Sequence, residues 1–192
     1  ILTRNGADTS FVTGSYRVPS AFTRPGYDLM KTAIAEADKK LSEDDWVMGE
    51  LGKNSLAQST DAAKLEDRYY RDYADHWRSF VKGVKIREYK NRADAVNALQ
   101  SFSSANSPMK ILAREIATNT NFSAKPPATG WIDWLIGLVS KPAKTETGTT
   151  QPEKEFRPLF TFVGTPEQAD NSPVEKYQAV MGRLYNDFSG IS

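Results

Sequence analysis

Two groups of residues have the types and spacing that chemistry would need. His76 is the only histidine and follows Asp72 by four residues. On a helix this spacing lets the carboxylate orient the imidazole for proton transfer or for one edge of a metal site. Glu43, Asp44 and Asp45 are consecutive carboxylates, the groups that paired catalytic acids and hard cations require. Either group would become a site only with further residues around it.

The sequence does not supply those further residues. No pattern offers His76 a nucleophile or additional ligands. Adjacent acids on a helix point in different directions, and acids after Ser42 are typical of a capped helix start. The chain has no cysteine, which excludes disulfides and thiolate sites. We therefore predict no catalytic residue, no metal site and no cofactor. An enzyme that acts on the cell wall through Glu43, Asp45 or His76 remains the alternative.

Composition limits the class of partner. The chain of 192 residues is long enough to bury a core, and 25 basic residues nearly balance 24 acidic ones, for a net charge of +1. Such a balance creates no large-scale field for nucleic acid or for an anionic membrane, so any partner must be recognised by local features. No run of eighteen apolar residues occurs. We expect no membrane insertion by this chain and any signal or anchor to lie outside it.

The hydrophobic pattern predicts a mainly α fold, an irregular multi-helix bundle with an extended N-terminal arm and little β. Residues 1–25 contain residue types that favour extended or turning backbone. Residues 26–140 are predicted as a helical domain, with helices over 27–41, 61–84, 92–102 and from Ser107 onward. The longest helix carries one apolar stripe, formed by Leu65, Tyr69, Tyr73, Trp77, Phe80 and Val84.

The C-terminal third is less regular. Trp131 and Trp134 lie in a nine-residue apolar stretch, which is either core or a candidate interface, as in a helical adaptor for peptides or lipids. Residues 141–155 have no large apolar side chain and are predicted as a flexible loop. Residues 156–192 are predicted as a short apolar, extended run followed by a helix that packs on the same body.

Four ordered blocks over residues 20–120 resemble the ImcF-related domain of the IcmF/TssM family. The first block, similar to the pattern FTR.GY, contains Phe22, Thr23, Arg24, Gly26 and Tyr27. The second, similar to EDWVLG, contains Asp45, Trp46, Val47 and Gly49. The third, similar to Y..DY...W..F, contains Tyr69, Asp72, Tyr73, Trp77 and Phe80. The fourth, similar to a helix that begins with Ser-Pro, contains Ser107, Pro108 and Thr120.

The resemblance implies a fragment of a large inner-membrane protein of type VI secretion, within its periplasmic part. It implies a non-catalytic structural role and contact with an outer-membrane lipoprotein, through a β-rich module that would begin beyond Ser192. Other inner-membrane secretion components are implied as partners, and self-association is a further candidate interaction. Within this domain we expect the motif residues to be mainly structural, with Trp46, Tyr69, Tyr73 and Trp77 in the core.

Overall fold

The computed structural model describes residues 6–48, 55–123, 150–164 and 171–190. Over these ranges the chain forms six α-helices and one two-stranded sheet. The helices are α1 (Arg24–Met48), α2 (Ser55–Gly83), α3 (Arg92–Ser103), α4 (Pro108–Thr120), α5 (Gln151–Val163) and α6 (Pro173–Gly190). The strands are β1 (Val12–Thr13) and β2 (Lys85–Ile86). The mainly α fold class with little β is confirmed.

Helix α1 continues through the point where the sequence predicted a new helix. Ser42 lies in its interior, so the predicted N-cap at Ser42 is wrong. An N-cap serine stabilises a helix start by only about 1 kcal/mol. No glycine or proline occurs between Tyr27 and Met48, and each added residue of an uninterrupted helix gains a backbone hydrogen bond. Continuation therefore outweighs the capping signal.

Helix α2 provides the centre of the main core. Tyr69, Tyr73 and Trp77 are buried at helical spacing, as the stripe predicted. They pack in one cluster with residues from α1, α4 and α5, namely Tyr27, Ile116 and Phe156. The stripe is wrong at its start, because Leu65 is 56% exposed. Spacing places Leu65 on the apolar face, but only the neighbouring helices decide how far along that face burial extends.

The N-terminal arm lies against the helices. β1 pairs antiparallel with β2, with Val12 opposite Ile86. Phe11 and Val12 are buried in a second apolar cluster with residues of α3 and α4, namely Ala98, Phe102 and Leu112. The arm predicted over residues 1–25 ends earlier, because Ser20–Phe22 forms a 3-10 turn and α1 begins at Arg24.

Helices α3 and α4 begin where the sequence predicted, at Arg92 and directly after Ser107. The Asn91 side chain accepts a hydrogen bond from the Asp94 backbone N–H at 2.9 Å and caps α3. Pro108 is the first residue of α4. A backbone N–H at this position would have no acceptor within the helix, so proline, which lacks the N–H, is well tolerated there. These two helices make few contacts with each other. Instead, α3 packs chiefly on α6 and α4 packs chiefly on α5.

Helix α5 corrects two predictions for the C-terminal third. The flexible loop predicted over 141–155 ends by residue 150, and the run 156–163 is helical rather than extended. Thr150 and Glu153 form a capping box, and Pro152 occupies the first turn. This Thr-x-x-Glu pattern is a sequence signal for the start of a helix, although the segment around it is polar. Residues 141–149 lie outside the described ranges.

A buried carboxylate joins the beginning of α5 to the end of α4. Glu153 accepts hydrogen bonds from the backbone N–H and the hydroxyl of Ser123, at 2.7 and 2.6 Å. It also accepts from the backbone N–H and the hydroxyl of Thr150, at 3.0 and 3.1 Å. Burial alone would raise the pKa of Glu153, but these hydrogen bonds outweigh it and lower the pKa below its usual value. We call this arrangement the Glu153 bridge.

Helix α6 completes the described part of the chain. It is the helix that the sequence predicted near the C-terminus, and it ends at Gly190. Val174 at its start is fully buried, whereas Leu184 and Phe188 near its end are partly exposed. Within the described ranges, no helix combines the length and the apolarity needed to cross a membrane.

Candidate functional site

Seven motif residues meet where the 3-10 turn enters α1. We call them the motif cluster: Phe22, Arg24, Gly26, Tyr27, Tyr69, Tyr73 and Trp77. The Trp77 indole N–H donates to the Phe22 carbonyl at 2.8 Å, and the Tyr69 hydroxyl donates to the Ala21 carbonyl at 2.6 Å. Two side chains of α2 thus hold the 3-10 turn by its backbone. These contacts explain why aromatic residues with polar atoms occupy these positions on α2.

Gly26 is required by a close backbone approach. A Cβ atom at this position would lie 2.3 Å from the Ser20 carbonyl oxygen and 2.6 Å from that of Ala21. Both distances are far inside van der Waals contact, and backbone oxygens cannot rotate away as a side chain could. Gly26 therefore lets the first turn of α1 fold back against the 3-10 turn.

The C-terminal end of α4 is held by two further cluster residues. The Tyr73 hydroxyl donates to the Asn119 carbonyl at 2.6 Å, and Arg24 Nη1 donates to the Asn121 carbonyl at 2.7 Å. Carbonyl groups at a helix end have no partner within the helix, and a cation there also complements the helix dipole. Arg24 lies 3.4 Å from Asp28 as well, measured from Nε to Oδ1. Burial raises the pKa of Asp28 in spite of this positive charge.

Asn119 is a site residue that the sequence analysis missed. Its side-chain oxygen accepts from the Arg24 backbone N–H at 2.9 Å, and its Nδ2 donates to the Glu115 carbonyl at 2.9 Å. Asn119 therefore caps the start of α1 from a different helix. The only signal in the sequence was its place near the end of a predicted helix, which does not indicate such a long-range partner.

Ring contacts complete the motif cluster. Tyr27 stacks on Phe122 with centroids 3.9 Å apart, and Phe22 stacks on Tyr69 with centroids 5.5 Å apart. Phe80 packs edge-on to Trp77 at 5.5 Å. Burial raises the pKa values of the Tyr69 and Tyr73 hydroxyls above the usual range for tyrosine. Both phenols therefore stay protonated and keep their role as hydrogen-bond donors.

The other described motif residues make contacts of their own. Thr23 donates through its hydroxyl to the Ser20 carbonyl at 2.7 Å, within the 3-10 turn. Thr120 is fully buried and donates to the Ile116 carbonyl at 2.7 Å. Ser107 and Pro108 are buried at the opposite end of α4. Asp72 is exposed to solvent.

The structure leaves part of the predicted set untested. Asp45, Trp46 and Val47 belong to α1 by their backbone, but their side chains lie outside the described part of the chain. Gly49, Trp131 and Trp134 lie outside the described ranges altogether. The core role of Trp46 and the interface role of the two other tryptophans therefore remain predictions.

His76 has a different partner from the one that the sequence indicated. Its Nδ1 shares a hydrogen bond with the Tyr16 hydroxyl, and its ring packs on Phe22 with centroids 4.2 Å apart. Asp72 instead pairs with Arg68 at 3.9 Å. The expected pairing of Asp72 with His76 is wrong, because the arm brings Tyr16 to the imidazole from outside the helix. His76 thus connects the arm to α2.

The chemistry available in the described ranges is limited. No group of three or more His, Asp or Glu residues in this part of the chain is placed to hold a metal ion. Two shallow depressions, of about 300 and 440 Å³, lie along α4 and between α3 and the end of α6. Neither is lined by a residue of the motif cluster. The arrangement of the cluster can fix backbone segments against each other.

The comparison with protein families agrees with the motif blocks. The model of a family described as "IcmF-related: Intracellular multiplication and human macrophage-killing" matches residues 3–121. No curated protein and no solved structure matches the chain. The matched range contains β1, α1 to α4 and every residue of the motif cluster. Because the match extends over more than half of the 192 residues, the chain belongs to the IcmF-related family.

Proposed function

We propose that the chain is a non-catalytic structural and interaction domain in the periplasmic part of a type VI secretion membrane-complex protein. Membership of the IcmF-related family makes it part of a secretion-associated protein, and the family is one of structural, membrane-associated components. The periplasmic position and the type VI system are supported by the resemblance of the four motif blocks to the IcmF/TssM family.

The polar atoms of the motif cluster provide the main support for a structural role. The Tyr69 hydroxyl, the Tyr73 hydroxyl and the Trp77 indole N–H each donate to a backbone carbonyl. A donor that is hydrogen-bonded to a backbone carbonyl stabilises the fold and is not available to bind a substrate. The motif cluster therefore fixes the 3-10 turn, α1, α2 and α4 against one another, which is what a structural domain requires.

The proposed partners follow from the same resemblance. We propose contact with an outer-membrane lipoprotein and with other inner-membrane components of the secretion complex. Sedimentation velocity of the whole chain, alone and mixed with the periplasmic part of the cognate lipoprotein, tests the first contact. A shared heavier species is expected, with a lipoprotein from an unrelated system as control. If the two proteins sediment independently at all concentrations, this domain does not carry the lipoprotein contact.

The non-catalytic assignment has its own test. The purified chain is expected to release no soluble fragments from peptidoglycan, and cells that carry His76→Gln are expected to secrete normally. Release of fragments that Glu43→Gln abolishes would instead establish a cell-wall enzyme. A secretion defect in His76→Gln with an unchanged melting temperature would also contradict a purely structural role, because it would separate the function of His76 from folding.

A further inference from the structure

The connection between α2 and α3 has a local charge that the whole chain does not show. Residues 82–92 contain five basic side chains and one acidic side chain, an excess of four positive charges in a chain whose net charge is +1. The basic residues are Lys82, Lys85, Arg87, Lys90 and Arg92, and the acid is Glu88. This is the kind of local feature through which a nearly neutral protein recognises a charged partner.

Three of these cations are available to a partner. Arg87 pairs with Asp94 at 2.9 Å, and Arg92 donates to the Phe188 carbonyl at 2.7 Å. The other three, Lys82, Lys85 and Lys90, are exposed and form no ion pair with any residue in the described ranges. The structure thus holds the two arginines in internal contacts and leaves the three lysines to solvent.

Two large apolar residues, Ile86 and Tyr89, occur between Lys85 and Lys90 in the sequence. Ile86 is 50% exposed and Tyr89 is 46% exposed. Both contact buried residues of the arm, since Ile86 lies beside Val12 as its cross-strand partner and Tyr89 packs edge-on to Phe11 with centroids 6.4 Å apart. The Arg87 backbone N–H also donates to the Phe11 carbonyl at 2.9 Å. The apolar pair is therefore presented on a fixed backbone.

We propose that this surface, formed by Lys82, Lys85, Ile86, Tyr89 and Lys90, binds peripherally to a bilayer that contains anionic lipids. Lysines attract phosphate headgroups, while tyrosine and an aliphatic side chain are suited to the boundary between headgroups and acyl chains. This contact does not depend on the proposed lipoprotein interaction. It would orient the domain on a membrane surface.

The surface fits a bilayer better than an acidic peptide. A peptide bound along a strand needs a run of backbone hydrogen bonds to fix its position, and β2 is only two residues long. The nearby depression between α3 and α6 is shallow and is lined by Arg92, Val96 and Phe188 among others, with few polar groups to orient a peptide. Charge and apolar contact without directional bonds are sufficient for lipid headgroups.

Co-sedimentation of the whole chain with lipid vesicles tests the proposal. Binding is expected to vesicles of phosphatidylcholine with roughly 30% phosphatidylglycerol, to be weak on pure phosphatidylcholine, and to fall between about 0.15 and about 1 M salt. Each lysine near an anionic surface strengthens binding about fivefold. The triple variant Lys82→Gln, Lys85→Gln, Lys90→Gln should therefore bind more weakly by on the order of 100-fold.

Two further variants separate the contributions to binding. Ile86→Ser with Tyr89→Ser should weaken binding while leaving its salt dependence in place. A control of equal charge change on other faces, Lys31→Gln with Lys154→Gln and Lys176→Gln, should bind almost as the wild type does. Melting temperatures of the lysine variants should be close to that of the wild type, because these side chains are exposed. Ile86 and Tyr89 are half-buried, so their double variant should melt somewhat lower and is compared at a temperature where circular dichroism shows it folded.

Several outcomes would overturn the proposal. If the control variant lost as much binding as the triple lysine variant, vesicle binding would be a non-specific effect of net charge. Absence of vesicle binding together with salt-sensitive binding of a polyglutamate peptide would assign the same lysines to an acidic protein partner. Equal affinity for neutral and anionic vesicles would remove the role of the lysines. Absence of binding to both vesicles and polyglutamate would refute a recognition surface at this position.

Discussion

The motif cluster and the Glu153 bridge use the same physical device but differ in how visible they are in the sequence. In both, buried polar side chains bond to backbone groups from other segments. The cluster uses donors of α2 that reach carbonyls of the 3-10 turn and α4. The bridge uses one carboxylate of α5 that accepts from Ser123 and Thr150.

The difference shows which features allow a structural site to be recognised from the sequence. The cluster is built from large aromatic residues at helical spacing, and their size and period mark the buried face of α2 before any partner is known. The bridge rests on a single glutamate in a polar stretch, where only the capping-box pattern shows. Substitutions in the two regions should lower the free energy of unfolding by different amounts, and the largest loss is expected in the motif cluster.

The largest effect is expected from Trp77→Ala in the motif cluster. It removes the largest fully buried side chain among the described residues and the hydrogen bond to Phe22, so the free energy of unfolding should fall by about 3–5 kcal/mol. Urea denaturation measures the change. Trp77→Phe keeps most of the packing and should cost less, mainly for the carbonyl that loses its donor. A loss below about 1 kcal/mol for Trp77→Ala would contradict the central role of the cluster.

Gly26→Ala should be the next most severe change. The new methyl group would overlap two carbonyl oxygens of the 3-10 turn, and relieving this overlap should cost about 3 kcal/mol. Thermal or urea unfolding would show the loss. The matched control is Gly190→Ala, since a Cβ at Gly190 meets no atom within 4 Å. Equal stability of the two variants would show that the turn and α1 do not pack as described.

Glu153→Gln should weaken the bridge by about 2 kcal/mol at neutral pH, because a buried acceptor loses its charge while its donors remain. The pKa of Glu153 is lowered in the folded chain, so its stabilisation is present above the ordinary pKa and is lost as the pH falls through the folded value. The stability difference between wild type and variant should therefore close on acidification. Urea midpoints from about pH 7 to about pH 3 measure it.

The control for the bridge is Glu88→Gln, an exposed glutamate in the connection between α2 and α3. This variant should follow the wild type at neutral pH within about 0.5 kcal/mol. A difference for Glu153→Gln that stays constant with pH would contradict the lowered pKa and assign the loss to packing alone.

The smallest effect is expected for the ion pair that connects the two regions. Arg78 of α2 meets Glu155 of α5 at 2.6 and 2.7 Å, in a two-bond geometry on the surface. A double-mutant cycle of Arg78→Ala and Glu155→Ala should give a coupling free energy below about 1 kcal/mol that decreases with added salt. A coupling above about 2 kcal/mol would mean that the two regions are held together by this pair more than by the shared apolar core.

The helices were predictable in proportion to the strength of their local signals. α3, α4 and α6 carry clear starts and periodic apolar residues, and the sequence placed them within a few residues. The pattern of Ser42 followed by acids predicts a helix start inside α1, but no glycine or proline interrupts the helix there. α5 was missed because its polar first turn and two prolines resemble a loop, while its burial depends on α4, which lies distant in the sequence.

The site was predictable in its residue types but not in its contacts. The motif blocks marked Arg24, Tyr73 and Trp77 as structural, and all three take part in the cluster. Their partners are backbone carbonyls. Because every residue has one, the sequence does not indicate which carbonyl a donor will reach. For the same reason the roles of Asn119 and Tyr16 appeared only in the folded chain.

By itself the sequence determined the mainly α class, the buried face of α2 and the family, because period, residue size and ordered motif blocks are local properties. The tertiary structure alone decided which helices pair, which carbonyls the buried donors reach, and which lysines of the connection between α2 and α3 stay free. Those outcomes depend on distances between segments far apart in the chain. Only the simultaneous packing of all the helices fixes such distances.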